Sequence, residues 1–273
     1  MKSTLSVGSN TTITESLSVG SSTNLANILN ISGNTTIRTK LSVGEQIYGL
    51  LAGNLGSVSD YNASIGIDTL YNNTNGNKNF AGGHSSMYSN TTGQRNVGVG
   101  YFSVKEAISA NYNTSLGSES LQNNKTGHNN VAVGYKTLYN LGITSPGDNS
   151  ADNNIAIGPE SGYLLTTGRK NILLGYKSGD VLTTGSSNII IGDSSDTSSN
   201  NGSNQIIIGD AITGHDDNTV VLGNSSCIAW HPNNNNTVDL GSEIYGFKDG
   251  YLKGTLNVSG NSIMASSLSV NGT

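Results

Sequence analysis

The chain has 273 residues, of which 11% are charged and 34% hydrophobic, with 36 Gly, 3 Phe and 1 Trp. Ordinary soluble domains carry about 25% charged residues and about 7% Gly, so this chain has too little bulky apolar material for a large three-dimensional core. Its net charge of −5 is too small for charge-driven disorder, which leaves a repetitive β structure that buries a thin apolar ladder.

Residues 1–57 open with a short repeat: LSVG at Leu5–Gly8 and Leu17–Gly20, LNISG at Leu29–Gly33, and LSVG at Leu41–Gly44. Each unit is a strand-like L-x-V or L-x-I followed by a polar turn. One strand with two apolar side chains cannot form a core alone, but three copies wound about one axis can. This segment is therefore expected to be a β-repeat shaft, ending in a junction at Glu45–Ser57.

Residues 58–226 carry a longer repeat, N-h-x-h-G, where h is apolar. Its glycines are Gly66, Gly83, Gly100, Gly117, Gly134, Gly158, Gly175, Gly192, Gly209 and Gly223. The step is 17 residues throughout, except for 24 between Gly134 and Gly158 and 14 at the end. The longer step reads as one unit plus an insertion at Ile143–Asn149, with Pro146-Gly147 as its turn. A fixed period of this kind signals a solenoid.

Seven residues before the motif glycine stands a second one, at Gly76, Gly93, Gly127, Gly168, Gly185 and Gly202. These read as corners, where glycine takes positive φ without steric cost, joined by strands of about five residues. Period-2 alternation points Val131 and Val133 one way and Ala132 the other. In the trios starting at Ile172, Ile189 and Ile206 both faces are aliphatic, as in strands buried on both sides. One face is assigned to the solenoid interior and the other to a second copy of the chain. The middle position is small early (Ser64, Ala81, Gly98, Ser115, Ala132, Ala156) and large late (Leu173, Ile190, Ile207, Val221). That gradient reads as an interface widening toward the C-terminal end. The strands should stack in parallel, Val99 beside Leu116 and Leu174 beside Ile191.

Residues 227–255 form a connector containing DLGSEIYGFKDGYLKG, and residues 256–273 return to shaft units at Leu256–Gly260 and Leu268–Gly272. Leu5, Val7, Leu17, Val19, Leu41, Val43, Leu256, Val258, Leu268 and Val270 are expected to be buried mainly by other chains. Two such side chains per repeat do not offset backbone ordering at about 1–2 kcal/mol per residue.

NNVAVGYKTL and NNIAIGPESG resemble the head repeat of trimeric autotransporter adhesins, a trimeric left-handed parallel β-roll. The 17-residue spacing with MYSNTTG at Met87–Gly93 is similar to repeats of viral and phage tail-fibre proteins, and the flanking units resemble viral fibre shafts. The resemblance implies an all-β homotrimeric fibre whose left-handed parallel β-roll of about ten coils is flanked by short β-repeat shafts.

No residues are singled out as catalytic, cofactor-binding or metal-binding. His84, His128, His215 and His231 form none of the spacings of a zinc site. Cys227, alone, allows no disulfide within the chain and reads as an inert buried thiol. Asp193, Asp196, Asp210, Asp216 and Asp217 gather near the end of the repeat. Asp193 and Asp210 should stack in adjacent coils, as a calcium site or, preferably, a solvated rim. No carboxylate pair stands out as a glycosidase pair. Asn62, Asn90, Asn113 and Asn124 lie in N-x-S/T sequons, but they also suit corners where Asn hydrogen-bonds along a ladder and tolerates the left-handed conformation. Tyr101, Tyr135 and Tyr176 follow motif glycines as a partial aromatic row, which either binds sugars or covers the apolar edge of the roll.

With 13 Lys and Arg against 18 Asp and Glu and no basic block, no nucleic-acid partner is expected. No apolar run approaches the roughly 18 residues of a membrane span, so no membrane insertion is expected. The opening MKSTLSVGSN lacks the pattern of a signal peptide. The expected role is a structural, non-enzymatic fibre on a virion surface. Its partners would be two further copies, other virion proteins and a host receptor or glycan whose binding residues are unknown. The alternatives are the head of an exported bacterial adhesin and a fibre-borne glycan-degrading enzyme.

Overall fold

A computed structural model describes residues 61–143, 151–227, 244–245, 247, 250–253 and 255. The expectations for both shafts, most of the connector, residues 144–150 and His231 fall outside them. The described residues contain ten strands and no helix: β1 (Ala63–Ile65), β2 (Phe80–Gly82), β3 (Val97–Val99), β4 (Thr114–Leu116), β5 (Val131–Val133), β6 (Ile155–Ile157), β7 (Ile172–Leu174), β8 (Ile189–Ile191), β9 (Ile206–Ile208) and β10 (Val220–Leu222). They form one parallel sheet in sequence order, a β-solenoid with one strand per coil. Val99 faces Leu116 and Leu174 faces Ile191. Val133 pairs with Ile157 across the 24-residue step, so the insertion leaves the ladder unbroken. Nine intervals of about 4.8 Å make the stack roughly 43 Å long.

Each strand has three residues, not about five, because both ends run directly into tight corners. The motif glycine is one such corner. From Gly66 to Gly209 these glycines have φ between 115° and 150°. A Cβ on Gly175 would lie 2.2 Å from the carbonyl oxygen of Gly192 in the next coil. The second set of glycines works differently from the expectation. None of Gly76, Gly93, Gly127, Gly168, Gly185 and Gly202 has positive φ. They are small because coils touch there: a Cβ on Gly168 would sit 2.1 Å from Gly185 O.

The interior also corrects the sequence reading. The middle residue of each strand from β1 to β9 points inside the chain's own coil. Ser64, Ala81, Ala132, Leu173, Ile190 and Ile207 are all buried, so the small-to-large gradient is internal filling and not a widening interface. The opposite wall supplies the complement four residues after the motif glycine. There Leu70, Met87, Val104, Leu121 and Leu138 are fully buried, at φ of 50–52°. Gly98 leaves room for two of them, since a Cβ on it would meet Met87 Cε at 2.9 Å and Val104 Cγ2 at 3.3 Å. Where the middle residue becomes Leu173 or Ile190, this wall becomes Gly162 and Gly179, whose Cβ atoms would meet Leu173 at 2.8 and 2.9 Å. One cross-section is kept by trading volume between walls, as dense packing demands.

Candidate functional site

Three polar rows run up the solenoid, and each consumes side chains that might otherwise do chemistry. The first is the motif Asn, from Asn62 to Asn188. The backbone N–H of Asn113 donates to Asn96 Oδ1 at 2.9 Å, and the step repeats through Asn130, Asn154, Asn171 and Asn188. Each amide nitrogen also donates to a corner carbonyl, Asn171 Nδ2 to Gly185 O at 3.0 Å. The row ends at Gln205, whose longer side chain turns instead to Ser198 and Asp217. The repeat shortens to 14 residues immediately afterwards.

The second row, three residues after the motif glycine, went unread in the sequence although it keeps the same frame. It comprises the buried hydroxyls of Thr69, Ser86, Ser103, Ser120, Thr137, Ser161, Ser178 and Ser195. Most of them reach a carbonyl of the next coil, as Ser178 Oγ does to Ile190 O at 3.1 Å. The third row lies at the second corner. Asn111 N–H donates to His128 Nδ1 at 3.0 Å, and His128 N–H to Asp152 Oδ1 at 2.6 Å. His128 is thus a rung of a ladder.

The sequon residues divide between rows. Asn62 and Asn113 belong to the motif ladder. Asn90 and Asn124 lie in a separate buried row with Asn73, where Asn90 Nδ2 donates to Asn73 Oδ1 at 2.7 Å. None of the four has positive φ; the residue before the motif Asn takes that conformation instead, as at Arg95 and Lys170. Asn90, Asn113 and Asn124 are fully buried, which leaves no room for a glycan. Asn90 Oδ1 is buried without a partner, because the next coil places Ala107 where a donor would be.

The outer face of the sheet is built from the first and third residue of every strand. It carries Phe80, Val97, Leu116, Ile155, Ile157, Ile191, Ile208, Val220 and Leu222 at 37–60% exposure. No charged residue lies in any of the ten strands. Two side chains wide and ten coils long, the face covers roughly 400 Å², within the range of about 300–600 Å² for the largest apolar patch on a typical monomer.

Beside it, the residues following the motif glycine form a mixed aromatic and charged flank. Tyr101, Tyr135 and Tyr176 are about half exposed and are interrupted at Ser118 and Pro159, so they make no continuous row. Tyr101 stacks on Phe102 at 3.9 Å and on His84 at 5.5 Å. Tyr71 stacks on Tyr88 and Tyr139 on Tyr163, at 5.2 and 5.3 Å. Glu119, Lys136, Glu160 and Lys177 alternate in sign along the axis and pair at 3.6 and 3.7 Å. Tyr135, then Glu119, holds the Lys136 ammonium above its usual range, as Tyr176 and Glu160 do for Lys177.

Asp193 and Asp210 occupy equivalent places one coil apart and are exposed, as are Asp216, Asp217 and His215. Asp196 is half-buried. Burial pushes its carboxyl up to about 6 and the neighbouring Asp180 adds to the rise, against the Val181 N–H that it accepts at 3.2 Å. Asp180 had drawn no attention in the sequence, because it precedes Asp196 by 16 residues, off the 17-residue frame. No group of three or more His, Cys, Asp or Glu side chains among the described residues is placed to hold a metal ion. Cys227 is exposed, not buried, since the wall it joins ends with β10. No helix among the described residues is long and apolar enough to cross a membrane. No protein-family model, curated protein or solved structure matches the chain.

Proposed function

We propose that the chain is the rod-and-head segment of a homotrimeric fibre on a virus or phage particle, in which three left-handed β-rolls pack about one axis between β-repeat shafts and support attachment to a host surface. The observation that carries this reading is the uncharged aliphatic outer face, which a solitary rod would leave in water along its full length. The side chains inside the coil support a structural role, because nearly every polar one is spent on coil-to-coil hydrogen bonds. Sedimentation of the full chain tests the assembly, with three chains per particle expected; a folded monomer overturns it. Electron microscopy with antibodies raised against the roll tests the location. Labelling of fibres on particles supports the reading, and labelling of a bacterial surface replaces it with an exported adhesin head.

A further inference from the structure

The outer face is not uniform along its length. β1–β4 place Ala63, Gly82 and Thr114 on it among larger residues, whereas each of β6–β9 presents two residues that are Ile or Leu without exception. The late half is therefore a ridge of eight consecutive aliphatic side chains and the early half an uneven strip. On this basis, and resting on the self-assembling reading above, we propose that copies of this chain pack parallel and in register, with the contact concentrated on β6–β9.

Two features of the face select a copy of itself as the occupant. Its side chains repeat every ~4.8 Å along the axis, and only a surface with the same repeat interdigitates with it over its whole length. It also offers no charge or hydrogen-bonding group in β6–β9 with which to specify an unlike partner. The gradient then selects the direction. Antiparallel packing about the middle of the sheet sets β8 against β3 and β7 against β4, so that Ile172 and Leu174 meet Thr114 and Leu116. Parallel packing sets every Ile against its own counterpart, filling the contact where the face is bulkiest. The interface that results has an aliphatic centre and a polar rim: Lys170 and Ser187 on one side, Tyr176 and Asp193 on the other. That is the anatomy of a stable contact.

Location and direction are tested separately on the full chain. Ile172→Asp/Ile206→Asp is compared with Val97→Asp/Thr114→Asp by sedimentation over a dilution series, with circular dichroism confirming the β-solenoid. The Ile pair is expected to raise the apparent dissociation constant at least 100-fold, and the Val97/Thr114 pair less than 10-fold. The reverse order, or equal effects, overturns the location. If the Asp variant unfolds, Ile172→Ser/Ile206→Ser is read against Val97→Ser/Thr114→Ser with the same expected order.

For direction, Ile191→Cys and Val97→Cys are made separately in a Cys227→Ser background, co-expressed with distinguishable tags and treated with a short bismaleimide. The two positions are equally exposed in the single chain, at 37% and 38%, so thiol access does not bias the result. Parallel packing joins like to like; a predominance of 191-to-97 links overturns the proposal. A native oligomer that fails either test leaves the fibre reading standing, whereas a native monomer removes both.

Discussion

At the scale of single residues the molecule is governed by what each coil leaves for the next. Where the second corner is Gly76, Gly93 or Gly127, the residue three before it is Asn73, Asn90 or Asn124. A Cβ on any of the three glycines would lie 2.3–2.6 Å from that Asn Oδ1. In the coil between them the corner is Ala110 and the partner position Ala107, which is why Asn90 Oδ1 has no donor. Ala107→Asn alone should therefore destabilise the chain by steric conflict with Ala110. Ala107→Asn/Ala110→Gly should recover that loss and add about 1 kcal/mol, the usual net worth of one hydrogen bond. Denaturant midpoints of both variants decide it, and additive effects would refute the coupling.

Asp196 sets a second test. The folded chain keeps a proton on it up to about pH 6, whereas the unfolded chain releases it near the ordinary carboxylate value of about 3.9. Folding therefore takes up a proton between these values, and stability rises as pH falls from about 6 toward 4. Asp196→Asn should be more stable than the parent at pH 7, and the difference should shrink toward pH 4. A difference that stays constant with pH excludes this origin.

At the scale of the coil, the decisive element is the exchange of bulk between walls. Leu173 lies between Gly162 and Gly179, so Leu173→Ala should open a cavity with nothing beside it to collapse inward. The cost belongs in the upper part of the 2–5 kcal/mol range for Leu→Ala. Adding Gly162→Leu should restore at least 1 kcal/mol, since Leu138 already holds that place one coil earlier at φ 50°. Thermal melting of the single and double variants measures the recovery, and a double variant weaker than the single would sink the account.

This element also marks the limit of what was legible in the sequence. Glycine spacing alone located all ten strands and their register, because a 17-residue period admits one stacking. It did not say which face of Ile189–Ile191 lies inside, since both faces are aliphatic and alternation has no sign. The answer was written 11 residues away, in the change from Val104 to Gly179, and is visible only when two walls are compared. Residues placed by the frame, such as Asn113, Asp193 and Asp210, fell where expected one coil from their neighbours. Asp180 and Asp196, brought together from different rows, did not.

At the scale of the whole molecule, the feature with the widest consequence is that the bonds between coils run along the long axis. They do so in strands and corners alike, from Val97 N to Asn113 O at 2.8 Å to Leu121 N to Thr137 O at 3.0 Å. Tension applied to the two ends of one roll loads these rungs one coil at a time instead of shearing them together. Each 17-residue coil that peels away should lengthen the chain by about 50–55 Å, its extended length less the coil spacing it gave up. The coil that contains the 24-residue step should release a single longer extension near 75 Å, roughly in the middle of the series. Force spectroscopy on the tethered chain would show a regular staircase with one tall tread, and a single abrupt extension would rule it out. A rod built this way yields under load in small, equal instalments and can rewind when the load is removed.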